Sequence, residues 1–202
     1  MPSNTEPSSL RIYGDRLGTV KELTQFLNDL QNAYNGVYVF HSLVDSYSRY
    51  LYDKRFIARL IDFRLPPASY WQDYHNRSVD SIEPRDQLII SKINIQSPGW
   101  WEVIGSLNPL QQIREFLKDR HERRKDTQWR EATERDKAIL ENELIQRQIT
   151  EADNRNLGER IRVLRELGFS DKEIRELIWI NVGKPLNELG KHQDTGLIGG
   201  VD

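Results

Sequence analysis

Residues 108–157, NPLQQIREFLKDRHERRKDTQWREATERDKAILENELIQRQITEADNRNL, contain no glycine, no proline after Pro109 and few β-branched side chains. Asn108 can cap the first turn, Pro109 suits the first helical position, and nothing interrupts the pattern before Gly158. Acid-before-base pairs four residues apart recur: Asp119–Arg123, Asp126–Arg130, Glu131–Arg135, Glu143–Arg147 and Glu151–Arg155. Each adds a few tenths of a kcal/mol to an isolated helix. The spacing predicts one long charged helix, a rod of roughly 70 Å. Leu110, Ile113 and Leu117 form a first stripe, expected to pack on the preceding domain. Leu140 and Leu144 then share one register, Ile145 and Ile149 another, without the unbroken heptads of a long coiled coil. Self-association is the expected cover for these four residues and for Leu157, Ile161, Leu164 and Leu167 beyond them, giving a helical stalk and a homo-oligomer.

The composition changes on either side of residue 108. Fifteen of the 19 aromatic residues lie in residues 1–107, whereas residues 108–181 carry 16 basic and 16 acidic side chains among 74. The aromatic part can bury a core of its own; a segment almost half charged cannot do so as a compact unit. The expected organisation is a disordered start (1–9), a globular α+β head (10–107), the charged helix (108–157), a helical hairpin (158–181) and a flexible glycine-rich tail (182–202).

Within the head, Leu10–Tyr13 alternates like a strand and stops at Gly14. Thr19 and Glu22 are spaced as a capping box, and Val20, Leu23, Phe26, Leu27, Leu30 and Tyr34 follow on one helical face. Asn35-Gly36 predicts the end of that helix, with a second from Val37 carrying Phe40, Val44, Tyr47 and Leu51. Phe56, Leu60, Ile61 and Phe63 are expected to be buried, and Pro66-Pro67 to end what precedes them. Leu88–Ile95 reads as a strand pairing with Leu10–Tyr13, with Ile89, Ile93 and Ile95 on one side. Ser97-Pro98 reads as the start of a short helix over Trp100–Leu107. Ser170 and Glu173 form a second capping box after the turn at Gly168-Phe169. The Leu167-Gly168-Phe169 turn is similar to one in ubiquitin-associated domains, and the hairpin resembles those of helix-turn-helix DNA readers. Neither family's third helix is matched, and no function is taken from the likeness.

The absence of cysteine removes disulfides, thiolate catalysis and cysteine metal sites. Phosphate-cradling glycine loops, HExxH and GxSxG are missing as well. His41, His75, His121 and His192 lack partners at metal spacing; His192 with Asp194 is at most a weak pair. No cofactor or metal is expected, and no enzyme. The start, MPSNTEPSS, has no apolar signal region and no run approaches about 20 apolar residues, so a cytoplasmic protein without a transmembrane segment is expected.

The expected function is therefore a non-enzymatic homo-oligomeric scaffold or adaptor that engages another protein through head or tail. An alternative is nucleic-acid or nucleotide sensing. Arg49, Lys54, Arg55, Arg59 and Arg64 are interleaved with aromatics, and Arg120, Arg123, Arg124, Lys125 and Trp129 form a second basic cluster. The net charge of −2 gives no global attraction to phosphate. A weaker alternative is peripheral membrane attachment through Trp100-Trp101, which stand beside apolar residues and then basic ones.

Overall fold

The computed structural model describes residues 7–51, 82–94, 96, 98–129 and 156–202, with the backbone alone for 7, 46–51, 125–129 and 156. Strand β1 (Pro7–Gly14) leads to helix α1 (Val20–Leu51). A 3-10 turn (Pro84–Asp86) precedes the hairpin of β2 (Ile89–Asn94) and β3 (Gly99–Ser106). Helix α2 (Leu107–Trp129) follows directly. Helices α3 (Asn156–Glu166) and α4 (Asp171–Ile178), a π turn (Trp179–Gly183) and helix α5 (Lys184–Asp194) come before the last strand, β4 (Ile198–Val201). The described strands form one antiparallel sheet in the order β2-β3-β1-β4. The central pair, β1 and β3, is thus made of strands far apart in the chain, and α3 to α5 precede the final strand. The molecule is α+β.

Alternation decides which face of the sheet is covered. Leu10 and Ile12 of β1, Trp101 and Val103 of β3 and Ile198 of β4 are buried, and all project to the side where the helices lie. On α1, Phe26, Leu30, Ala33, Tyr34, Val37, Phe40 and Val44 follow a helical stripe into the same core. Leu110, Ile113 and Leu117 of α2 join them at 0 % exposure, as their stripe predicts. Full burial of each such side chain is worth about 1.5–3 kcal/mol. Both capping boxes are in place: Glu22 N–H donates to Thr19 Oγ1 at 3.2 Å, and Glu173 N–H to Ser170 Oγ at 3.3 Å.

Several expectations are corrected. Residues 7–9 belong to β1 and are not disordered. Helix α1 does not end at Gly36 but runs through it, about 48 Å in all. Trp100–Ser106, expected in a short helix, lies in β3: Trp101, Val103 and Gly105 point inward while Trp100, Glu102 and Ile104 point outward, a period of two. The newly recognised strand separates β2 from β1, so Leu10–Tyr13 pairs with β3. A register shift between Ile90 and Lys92 places Ile90 and Ile93 opposite Val103 and Trp101, with Ile89 opposite Ile104.

The flexible tail is also corrected. Residues 182–202 are built into the fold: Leu186, Leu189, Leu197 and Ile198 are buried, and Asp202 exchanges two backbone hydrogen bonds with Arg11 (3.0 and 3.3 Å). Glycine enrichment there reflects turns and close approach. Gly196, at φ +68°, and Gly168, at φ +89°, occupy left-handed turns that close α5 and α3. At both sites the next residue's N–H reaches back five residues, Leu197 to His192 and Phe169 to Leu164.

Beyond residue 108 only part of the expected rod falls within the described chain. Helix α2 begins as expected, but its first turns are core. Residues 130–155 lie outside the described residues. So do the expectations for Phe56, Leu60, Ile61, Phe63, Pro66-Pro67, Ile95 and Ser97. From residue 156 the chain packs on α1, and Leu157, Leu164, Ile174, Leu177 and Ile178 enter the common core.

Candidate functional site

Of the expected oligomerisation seam, Leu157 and Leu164 are buried in the chain's own core and Ile161 and Leu167 pack against it, so these four are not a free stripe. The reason is tertiary: α3 returns onto α1, where Arg160 reaches Asp45 at 3.3 Å. Leu140, Leu144, Ile145 and Ile149 lie outside the described residues.

The second basic cluster holds the fold together. Arg120 donates through Nε to the Gly190 carbonyl at 3.2 Å and through Nη2 to Asp194 at 2.5 Å. Arg124 donates to the Gln193 carbonyl. Both guanidinium groups thus sit at the C-terminal end of α5, where cations are favoured. Gln193, fully buried, donates from Nε2 to the carbonyls of Leu117 and Gly199, both at 2.9 Å. Arg123 lies on the same helix, and the side chains of Lys125 and Trp129 are outside the described residues. Arg49 is described in backbone only; Lys54, Arg55, Arg59 and Arg64 are outside. We expect Arg120→Ala to cost about 1–3 kcal/mol, through the loss of a half-buried ion pair with Asp194 and of the hydrogen bond to the Gly190 carbonyl. A matching drop in the urea midpoint would show it.

His192 and Asp194 turn to different partners. Asp194 takes Arg120, while His192 Nε2 stands 2.8 Å from Asp29 Oδ2, whose carboxylate also accepts from Gln25 Nε2 at 3.0 Å. This bridge ties α5 to α1 with both side chains about nine-tenths buried. Among the described residues no group of three His, Cys, Asp or Glu is placed to hold a metal.

A second buried knot surrounds Asp86. Tyr38 O–H donates to its Oδ2 at 3.0 Å and Ser106 Oγ to its Oδ1 at 3.3 Å. The Tyr34 hydroxyl accepts Ser106 N–H at 2.7 Å and donates to the Asp86 carbonyl at 2.5 Å. Burial, then the Asp86 carboxylate, pushes the Tyr38 hydroxyl up to about 12, so it remains a donor at neutral pH. The knot pins the approach to β2 against α1 and the β3–α2 junction; every hydroxyl in it is committed to that task.

Trp100 and Trp101 do not act together. Trp101 is 5 % exposed and packs against Phe26, ring centroids 5.1 Å apart, so the membrane reading loses it. Trp100 projects from the opposite face, which no described helix covers. There it lies directly across from Tyr13 of β1, and the Arg11 guanidinium sits 4.6 Å from its ring centroid. Arg11 also pairs with Glu102 at 2.7 Å; Lys92 Nζ is 3.7 Å from the same carboxylate and Ser91 Oγ 3.3 Å. The Arg11 hydrogen bond holds the Glu102 carboxyl below the usual carboxylate range. The Tyr13 hydroxyl donates to Asp202. Tyr13, Arg11 and Glu102 were not anticipated from the sequence, although strict alternation in Leu10–Tyr13 already placed Arg11 and Tyr13 opposite its apolar side.

One further apolar group is exposed. Ile89, Ile90 and Ile93 of the edge strand β2 are 52, 41 and 49 % exposed. Among the described helices none is long and apolar enough to cross a membrane. Comparison with family models, with curated proteins and with solved structures finds no match for this chain.

Proposed function

We propose that the chain is a non-enzymatic adaptor that self-associates through the β2 edge, its occupant being a second copy. The observation that supports this is the continuity of the apolar layer. Ile90 and Ile93 extend the buried row of Val103 and Trp101 to the sheet edge, yet remain about half exposed. An edge strand also offers unpaired backbone groups to another chain. Lys92 and the register irregularity beside it weaken that template, which suits a concentration-dependent dimer rather than a permanent one. The charged segment around Leu140, Leu144, Ile145 and Ile149 contributes further association in this reading and sets spacing between heads.

Light scattering across a concentration series tests the proposal. The expected result is a dimer at tens of micromolar (~10–100 μM), the range of small interfaces. Ile93→Lys should raise the dissociation constant at least about tenfold by placing a charge in the seam. A monomer throughout would refute it. If Leu140→Lys separates the copies and Ile93→Lys does not, the seam lies in the charged segment around Leu140 rather than at the edge.

A further inference from the structure

We propose that the face of the sheet that no described helix covers binds single-stranded nucleic acid, with Tyr13 and Trp100 as stacking surfaces for unpaired bases. This site is centred on β1 and β3, with Lys92 as its one β2 contact, and is separate from the basic clusters expected to hold phosphate. Its basis is the register of the two central strands, which sets Tyr13 opposite Trp100 on the one side of the sheet that no described helix covers. Directly opposed side chains on neighbouring strands stand about 5 Å apart at Cβ, so the two rings form one continuous platform. Both rings are held in place. Tyr13 is tethered through its hydroxyl to Asp202, whose backbone pairs with Arg11, and Trp100 is fixed beneath the Arg11 guanidinium. The guanidinium covers one face of the Trp100 ring; a guanidinium plane is itself a stacking surface, so a base on that side stacks on Arg11 with Trp100 supporting it from below.

The charges fit the same ligand. Glu102 and Asp202 would each repel a phosphate backbone, but Glu102 is engaged by Arg11, Lys92 and Ser91 at 2.7, 3.7 and 3.3 Å, and Asp202 accepts the Tyr13 hydroxyl. Its carboxylate is of the type that accepts a hydrogen bond from the exocyclic amine of cytosine. Lys92, 67 % exposed, remains available to a phosphate. Among the described residues Arg11 and Lys92 are the cations on this face, and contact with at most about two phosphates predicts a shallow salt dependence, log K against log salt near −1.4. A duplex keeps its bases stacked inside and cannot use the platform.

The test is an anisotropy titration of the full chain against fluorescein-labelled eight-nucleotide oligo(U) and oligo(A), with a duplex of equal length for comparison. Saturable binding of both single strands is expected, at least tenfold tighter than the duplex. Trp100→Ala and Tyr13→Ala should each weaken it by about tenfold, within the range for loss of a base-stacking ring. Trp100→Phe and Tyr13→Phe should retain most of it, and circular dichroism of all four variants should match the parent. No saturable binding by the parent protein overturns the proposal. So does an unchanged affinity in Trp100→Ala, equal binding of the duplex, or a salt slope steeper than about −3, which would place phosphate contacts elsewhere.

Discussion

Gly36→Ala should destabilise the protein by about 1–3 kcal/mol or more, a large share of the 5–15 kcal/mol that a domain has at its disposal. A Cβ added at Gly36 would lie 2.1 Å from the carbonyl oxygen of Asn181 in the π turn and 3.1 Å from its carbon. Backbone, unlike the end of a flexible side chain, cannot step aside without moving its whole element. Asn181 is held by its own Nδ2, which donates to the Leu177 carbonyl at 2.8 Å, and the adjoining Val182 and Gly183 are buried. Alanine would therefore prise α1 away from the π turn and α5. Gly158→Ala is the matching control. It too changes a helical glycine, but nothing lies within 4 Å of the added carbon, so a gain of about 0.5–1 kcal/mol is expected from helix propensity. Urea denaturation of the two variants measures both signs; a loss below about 1 kcal/mol at Gly36 would show that the crossing can relax.

Acidification should unfold the protein earlier than its carboxylates alone would require. His41 is 7 % exposed on α1, its Nδ1 without a hydrogen-bond partner. Burial, followed by the positive charge of Arg160 from α3, lowers its pKa to about 3, while Gln112 from α2 works the other way; Asp45 partly balances Arg160. The folded form thus keeps His41 neutral below the pH, about 6.5, at which an unfolded histidine takes up a proton. The unfolded chain binds the extra proton, so stability is complete above pH 6.5 and falls as pH drops towards 3. The loss approaches about 1.4 kcal/mol per unit, or ~2 kcal/mol by pH 5 and ~3–4 kcal/mol by pH 3.5. Carboxylates held low in the fold, such as Glu22 at about 2 and Glu173 through its capping box with Ser170, add their effect only below about 4.5. His41→Leu should remove most of the slope between pH 7 and 5 while leaving the steeper region below 4.5. Equal slopes in the parent and the variant would exclude His41 as the cause.

Legibility followed the range of the interaction. The two capping boxes, the strand at Leu10–Tyr13, the start of α2 and the turn at Gly168 each depend on residues within one helical turn or one strand, and each stands where its spacing indicated. Gly36 was misread because a helix stop and a helix crossing leave the same mark in sequence: a residue without a side chain. The tail was misread for a related reason, since Gly190 faces the Arg120 side chain and Gly199 faces Asp15. Trp100 and Trp101 could be singled out as aromatic, but their separation onto opposite faces depends on β3 being a strand. Pairing with β1, some 90 residues away, is what makes it one.

Local chemistry determined where elements begin and which side chains avoid water, because capping and hydrophobic periodicity act over a few bonds. Strand order, the platform of Tyr13, Arg11 and Trp100, and the use of Arg120 and Arg124 at the end of α5 were decided only when distant segments met. A guanidinium, an indole ring or a missing Cβ carries no record of which of several suitable partners will satisfy it; packing in three dimensions makes that choice.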